Sequence, residues 1–192
     1  MKIGIYGGSF DPVHVGHVNA ALTFKEELSL DKIIVIPAYQ PPHKKGLAMT
    51  PSEHRMNMCN LAFGKLEGFE VSDIEIKRED EGYMADTVAQ LREIYPEDEF
   101  YFIIGGDSLE NIEKGYHPEI VLANCILLAA GRDEMFDTAL INRIDELNEK
   151  YKADIRMIKM QPMDVSSTEI RAGDFDDIPE SVRKYIDENQ LY

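Results

Sequence analysis

The apolar run Ile3-Gly4-Ile5-Tyr6 leads straight into Gly7-Gly8-Ser9-Phe10-Asp11-Pro12-Val13-His14-Val15-Gly16-His17, and no other feature limits the folding of this chain as sharply. A short β-type run, a glycine pair and two histidines three residues apart at the start of an amphipathic stretch spell a strand, a tight turn and a helix N-terminus. Strand-to-helix junctions of this kind build parallel sheets, whose strands need crossover connections. The junction is also an anion site. Backbone N–H groups at a helix start lack intrahelical partners, and the helix dipole adds about half a positive charge there, so phosphate is the natural ligand.

The rest of the chain repeats the same alternation. Strand-like runs are expected at Lys2–Tyr6, Lys32–Pro37, Phe69–Lys77, Glu99–Gly105, Cys125–Ala129 and Ile155–Met160. Helical patterns are expected at Gly16–Leu28, Ser52–Lys65, Ala85–Tyr95, Glu119–Ala123, Asp137–Lys152 and Pro179–Asn189. The fold class is therefore α/β, a Rossmann-like open parallel sheet with helices on both faces, in one domain spanning residues 1–192. In such a sheet ligands bind beyond the carboxyl ends of the strands. Gly7, Pro37 and Gly105 stand at such ends, each before an unusual polar or glycine-rich sequence. The face Arg143, Glu146, Glu149 and Lys150 reads as solvated surface.

Charge narrows the ligand. With 36 acidic and 20 basic residues the formal net charge is −16, and no basic block extends beyond Lys44-Lys45. That field repels nucleic acid and anionic membrane, so neither is an expected partner. A polyphosphate must then be held by local cations, helix ends and a divalent metal. No apolar run approaches the roughly 20 residues needed to span a bilayer, and no signal sequence opens the chain, so a cytoplasmic protein is expected. Cys59 and Cys125, too far apart for a CxxC pair, read as buried thiols. A homo-oligomer is left open.

Two other phosphate motifs fail. Gly64-Lys65 is followed by Leu66 where a P-loop needs Ser or Thr, and Gly4, Gly7 and Gly8 do not have the spacing of the dinucleotide fingerprint. Three further segments carry candidate chemistry, each with a plainer alternative. In Gly105-Gly106-Asp107 the carboxylate can accept from ribose hydroxyls or cap a helix. In Ser166-Ser167-Thr168-Glu169-Ile170-Arg171, hydroxyls and a guanidinium suit a phosphate, while Ser167 or Thr168 could equally cap the helix. Pro41-Pro42-His43-Lys44 stiffens a loop that presents His43 and Lys44 either to a ligand or to solvent.

Together these segments resemble the bacterial nicotinate-mononucleotide adenylyltransferases, of the nucleotidyltransferase superfamily with the H-x-G-H element. The opening G-G-[ST]-F-D-P-x-H-x-G-H is matched from Gly7 to His17, P-P-H-[KR] from Pro41 to Lys44, F-I-I-G-x-D from Phe102 to Asp107, and S-[SA]-T-x-I-R from Ser166 to Arg171. The resemblance implies that a mononucleotide phosphate attacks the α-phosphorus of ATP, giving nicotinate adenine dinucleotide and pyrophosphate. It makes His14 and His17 catalytic and assigns Gly8, Ser9, Phe10, Gly105, Asp107, Ser167, Thr168 and Arg171 to the nucleotide. His43, Lys44, Tyr83 and Thr87 go to the acceptor, with Arg132 near a family arginine loop it does not align with. Mg²⁺ is expected with ATP, held mainly through phosphates, and no residue is assigned as a metal ligand.

Three departures fall in the presumed acceptor pocket. Met84 stands where the family has a hydroxyl, Gly115 where it has a tryptophan, and Ala38 where many members have asparagine. An adenylyltransferase acting on another phosphorylated small molecule is therefore an alternative, and a non-catalytic nucleotide sensor a third.

Overall fold

The computed structural model describes residues 1–41, 46–79, 82–105, 109–131, 138–159, 167–173 and 176–192. Six strands form one parallel sheet: β1 (Lys2–Gly8), β2 (Lys32–Pro37), β3 (Phe69–Val71), β4 (Glu99–Gly105), β5 (Cys125–Gly131) and β6 (Asp154–Lys159), in the order β3-β2-β1-β4-β5-β6. The helices are α1 (Val15–Glu27), α2 (Ser52–Phe63), α3 (Ile74–Arg78), α4 (Met84–Ile94), α5 (Pro118–Asn124), α6 (Thr138–Tyr151), α7 (Ser167–Arg171) and α8 (Glu180–Asn189). This is the expected α/β class. Ile33, Ile34, Val35 and Ile36 in β2 are all buried, as are Leu127, Leu128 and Ala129 in β5. Such unbroken apolar runs are what a parallel sheet covered on both faces requires.

The chain forms two compact units that divide β1 between them. One comprises Met1–Ile5 and Tyr83–Pro162, the other Tyr6–Gly82 and Met163–Tyr192. In the first, Lys2–Ile5 pair with Glu99–Phe102, and β4, β5 and β6 follow in register from Phe100↔Cys125 to Gly131↔Lys159. In the second, β2 pairs with β3 at Ile33↔Phe69 through Val35↔Val71.

One expected strand is wrong over most of its length. Of Phe69–Lys77 only Phe69–Val71 is strand, and Ile74–Arg78 is helix α3. Ile74 and Ile76, two residues apart, imitate a strand period, but the ladder stops at Ser72, which donates its N–H to the Val35 carbonyl at 2.9 Å. Ser72 Oγ then accepts the Ile74 N–H at 3.4 Å, and the Lys77–Asp73 ion pair at 3.1 Å spans one turn. Local hydroxyl and carboxylate chemistry beats the apolar alternation.

Of the face expected to be solvated surface, Glu146, Glu149 and Lys150 are exposed, and Arg143 is half-buried. Arg143 and Lys150 converge on Glu113, each at 2.6 Å, and the Tyr151 hydroxyl donates to the same carboxylate at 2.8 Å. These donors hold the Glu113 carboxyl down to about 2 and tie α6 to the 3-10 turn Ile112–Lys114. Cys59 and Cys125 are buried free thiols, and burial pushes Cys125 up to about 12. Among the described residues no helix is long and apolar enough to cross a membrane.

Candidate active site

The second unit holds the strand–turn–helix junction. After β1 the chain turns through Phe10, whose φ of 46° lies in the left-handed region. The Phe10 ring, 1% exposed, makes edge contacts with Tyr6, Phe63 and His17, and this packing holds the turn. Gly8 is dictated by the same ring, because a Cβ there would meet Phe10 at 3.0 Å. At Gly7 a Cβ would meet nothing within 4 Å among the described residues. Open space beside backbone amides is what a close ligand needs.

His14 is the N-cap of α1, with its carbonyl accepting from Val18 at 3.3 Å and its N–H donating to His17 Nδ1 at 3.3 Å. The two rings lie 3.7 Å apart, centroid to centroid, at 34°. Accepting through Nδ1 leaves the neutral His17 ring with its proton on Nε2. His14 is 6% exposed, and its Nδ1 is buried with no hydrogen-bond partner among the described residues. Burial lowers the His14 pKa to about 4, against a smaller opposing pull from Asp177. At neutral pH His14 is uncharged, and a buried polar atom without a partner is costly unless a ligand supplies one.

The C-terminal motif joins this turn. Arg171 Nη1 donates to the Asp11 carbonyl at 2.5 Å and its Nη2 to Thr168 Oγ1 at 3.1 Å. Ser167 Oγ donates to the Pro12 carbonyl at 3.0 Å. The Ser167 bond ties α7 to the Asp11-Pro12 turn, and Thr168 accepts from Arg171 within the helix. Gly8, Ser9, Phe10, His14, His17, Ser167, Thr168 and Arg171 thus belong to one hydrogen-bonded and packed assembly.

In the first unit, Tyr83 precedes α4, and its ring stacks on Tyr116 at 4.6 Å and 30°. Tyr116 is 48% exposed. Thr87 is buried and donates from Oγ1 to the Tyr83 carbonyl at 3.3 Å, a bond within its own helix. Gly115 has φ −73°, which any residue adopts, so its place is not dictated by backbone conformation. Gly105 ends β4. His43, Lys44, Asp107 and Arg132 lie outside the described residues.

Arg55 escapes sequence inspection. It is 1% exposed on α2, and among the described residues its guanidinium donates to four main-chain carbonyls: Thr50 at 2.9 Å, Ser9 at 2.8 Å, Ala38 at 2.6 Å and Tyr39 at 2.9 Å. Its balancing charge is Asp11, whose carboxylate accepts the Tyr192 hydroxyl at 2.6 Å and the Thr50 N–H at 3.5 Å. Burial and the bond to Asp11 raise the Tyr192 pKa, which keeps the phenol protonated. The available signal was spacing, since Arg55 shares the buried stripe of Met58, Cys59 and Phe63. Among the described residues, no three His, Cys, Asp or Glu side chains are grouped to hold a metal.

Residues 5–173 match the family model described as cytidylyltransferase-like. The nicotinate-nucleotide adenylyltransferase of Lachnoclostridium phytofermentans is 41% identical over all of this chain and 98% of its own length. The corresponding protein of Carboxydothermus hydrogenoformans is 38% identical over the same shares. Among solved structures, the nicotinic acid mononucleotide adenylyltransferase of Plasmodium falciparum complexed with NaAD superposes with a TM-score of 0.77. That likeness covers 100% of this chain and 97% of the other at 21% identity, and it is a likeness of fold.

Proposed function

Because the chain belongs to the cytidylyltransferase-like family and, within it, to the nicotinate-nucleotide adenylyltransferases, we propose that it joins the AMP part of ATP to nicotinate mononucleotide, giving nicotinate adenine dinucleotide and pyrophosphate. The observation that carries the reading is the His14–His17 pair at the start of α1, with a buried His14 Nδ1 that has no partner among the described residues. An acceptor phosphate oxygen forms a bond to the α-phosphorus of ATP. The bond from that phosphorus to the bridging oxygen breaks, and the electron pair leaves with pyrophosphate. No covalent enzyme intermediate is needed, so catalysis is positioning and charge stabilisation.

In this reading His17 donates from Nε2 to a phosphate oxygen, and His14 contributes the second imidazole. The N–H groups of the Gly8–Phe10 turn and helix start line the nucleotide phosphates. Arg171 reaches the β- and γ-phosphates with the donors not committed to Asp11 and Thr168, and Asp107 takes the adenosine ribose. Magnesium fits as an ion held through the phosphates, since the described residues offer no ready-made cage. When bound it neutralises triphosphate charge that a chain of net charge −16 is poorly placed to neutralise.

The changed acceptor pocket favours nicotinate mononucleotide less than the ATP half favours ATP, which keeps a different phosphorylated acceptor as the second reading. Against it stands Tyr116, whose exposed face can stack on a pyridine ring where Gly115 offers none. The deciding experiment is pyrophosphate release from ATP across a panel of phosphorylated acceptors. Preference for nicotinate mononucleotide supports the proposal, efficient turnover of another acceptor supports the second reading, and no release with any acceptor leaves a nucleotide-binding module.

A further inference from the structure

Arg55 makes bonds that a residue serving only the core would not need. Three of its four acceptors stand at the two ends of one connection. Ala38 and Tyr39 follow β2, Thr50 precedes α2, and the stretch between them carries Pro41-Pro42-His43-Lys44. The fourth acceptor, Ser9, lies in the turn after β1. We infer that Arg55 is a positioning residue, whose guanidinium sets the separation of the two described stems, Ala38–Tyr39 and Thr50, and fixes both against the Gly7–Phe10 turn. As an inference about catalysis, this rests on the adenylyltransferase reading.

The chemistry is specific to arginine. Four carbonyls accept from one guanidinium, which suits a fork with five donors. An ammonium has three donors and a compact charge, so lysine leaves at least one of the four carbonyls without its bond. Thr50 also links the clamp to its counter-charge, accepting from Arg55 Nε through its carbonyl and donating its N–H to Asp11. Tyr192 holds the far side of that carboxylate. Because three of the four bonds serve the connection, the acceptor half of the reaction depends on Arg55 more than the ATP half does.

The test uses the full chain with Arg55→Lys, and Tyr192→Phe as a milder change that leaves α2 untouched. For Arg55→Lys the KM for the acceptor should rise at least tenfold, while ATP binding followed by calorimetry changes less than threefold. Tyr192→Phe should move the acceptor KM the same way by a few-fold. Trypsin cleavage after Lys44 or Lys45 should quicken about tenfold in Arg55→Lys, with cleavage elsewhere unchanged. A residue that merely stabilises the core would lower the folded fraction and the apparent kcat with both KM values untouched, and that result overturns the inference. If Arg55→Lys does not fold, unchanged acceptor KM and cleavage in Tyr192→Phe overturn it equally. Should the wild type release no pyrophosphate with any acceptor, the adenylyltransferase reading fails, and the cleavage rates still decide whether the clamp exists.

Discussion

A neutral, buried His14 must make the fold sensitive to acid well before the carboxylates titrate. Its pKa falls from the ordinary 6.5 to about 4 on folding, chiefly because burial penalises the imidazolium. Between those values the unfolded chain binds a proton that the native chain does not, so stability rises with pH across the window and is lost as pH falls through it. At pH 5 the loss relative to pH 7.5 is about 2 kcal/mol, and below pH 4 it levels off at about 3. For a chain of this size that is roughly 4–8 °C in Tm between pH 7.5 and pH 5. Calorimetric Tm against pH for the wild type and His14→Gln isolates the effect, because the other histidines are present in both. The variant's curve should be flatter by that amount, and parallel curves would refute a neutral buried ring. Saturating ATP adds a second reading of the same group. Phosphate beside the ring favours its charged form, so the Tm gain from ATP should grow as pH falls towards 5 in the wild type and stay level in His14→Gln.

Four further outcomes are expected. His17→Ala should lower kcat by about 10²–10³ with ATP affinity changed only a few-fold, since the lost donor matters most as charge moves. His54→Ala, whose ring contacts the Tyr185 hydroxyl at 2.9 Å, should cost about 1 kcal/mol of stability and leave kcat alone. Lys44→Ala should weaken the acceptor more than ATP in direct binding measurements, and equal losses would put that loop on the wrong substrate. Gly115→Trp with Met84→Thr should raise kcat/KM for nicotinate mononucleotide about tenfold. The glycine's φ of −73° tolerates the change, and its new Cβ needs only a few tenths of an ångström from the Ile112 carbonyl at 3.0 Å, so Tm should hold; a folded variant with no gain would count against this acceptor.

What could be read in the sequence was whatever is local. The βα order, the glycine pair and the histidines at a helix start follow from periodicity and end chemistry within a few residues, and the β2 and β4 bounds agree with expectation. The false strand at Ile74–Lys77 arose because a short alternation looks the same in a strand and in a one-turn helix begun by Ser72 and Asp73. Long-range partnerships were invisible for a different reason. Nothing near Asp11 announces that its carboxylate meets Tyr192, 181 residues away, or that its carbonyl meets Arg171, 160 residues away. Arg143 reads as surface until Glu113, 30 residues earlier, supplies the carboxylate that fixes it. Arg55 did leave a trace, a cation on an apolar stripe, but only the fold reveals that its partners are carbonyls.

On the proposed reading, the neutrality of His14 bears on which state of the reaction the imidazoles serve. A lysine or a protonated histidine would attract the triphosphate strongly before any bond changes, and binding substrate and transition state alike does not raise kcat. A neutral imidazole hydrogen-bonds a ground-state phosphate modestly. Its bond strengthens as negative charge gathers on the oxygens around the α-phosphorus, and more so where water is excluded. Burial of His14 and packing of His17 against Phe10 supply that exclusion and fix both rings before substrate arrives. Arg171 shows the complementary choice, keeping a permanent charge at an exposed position where it can hold the phosphates that depart. On this division of labour, losing the guanidinium should be felt in ATP binding and losing an imidazole in turnover. The pair and the arginine, although joined through the Asp11-Pro12 turn, are then separable by KM and kcat.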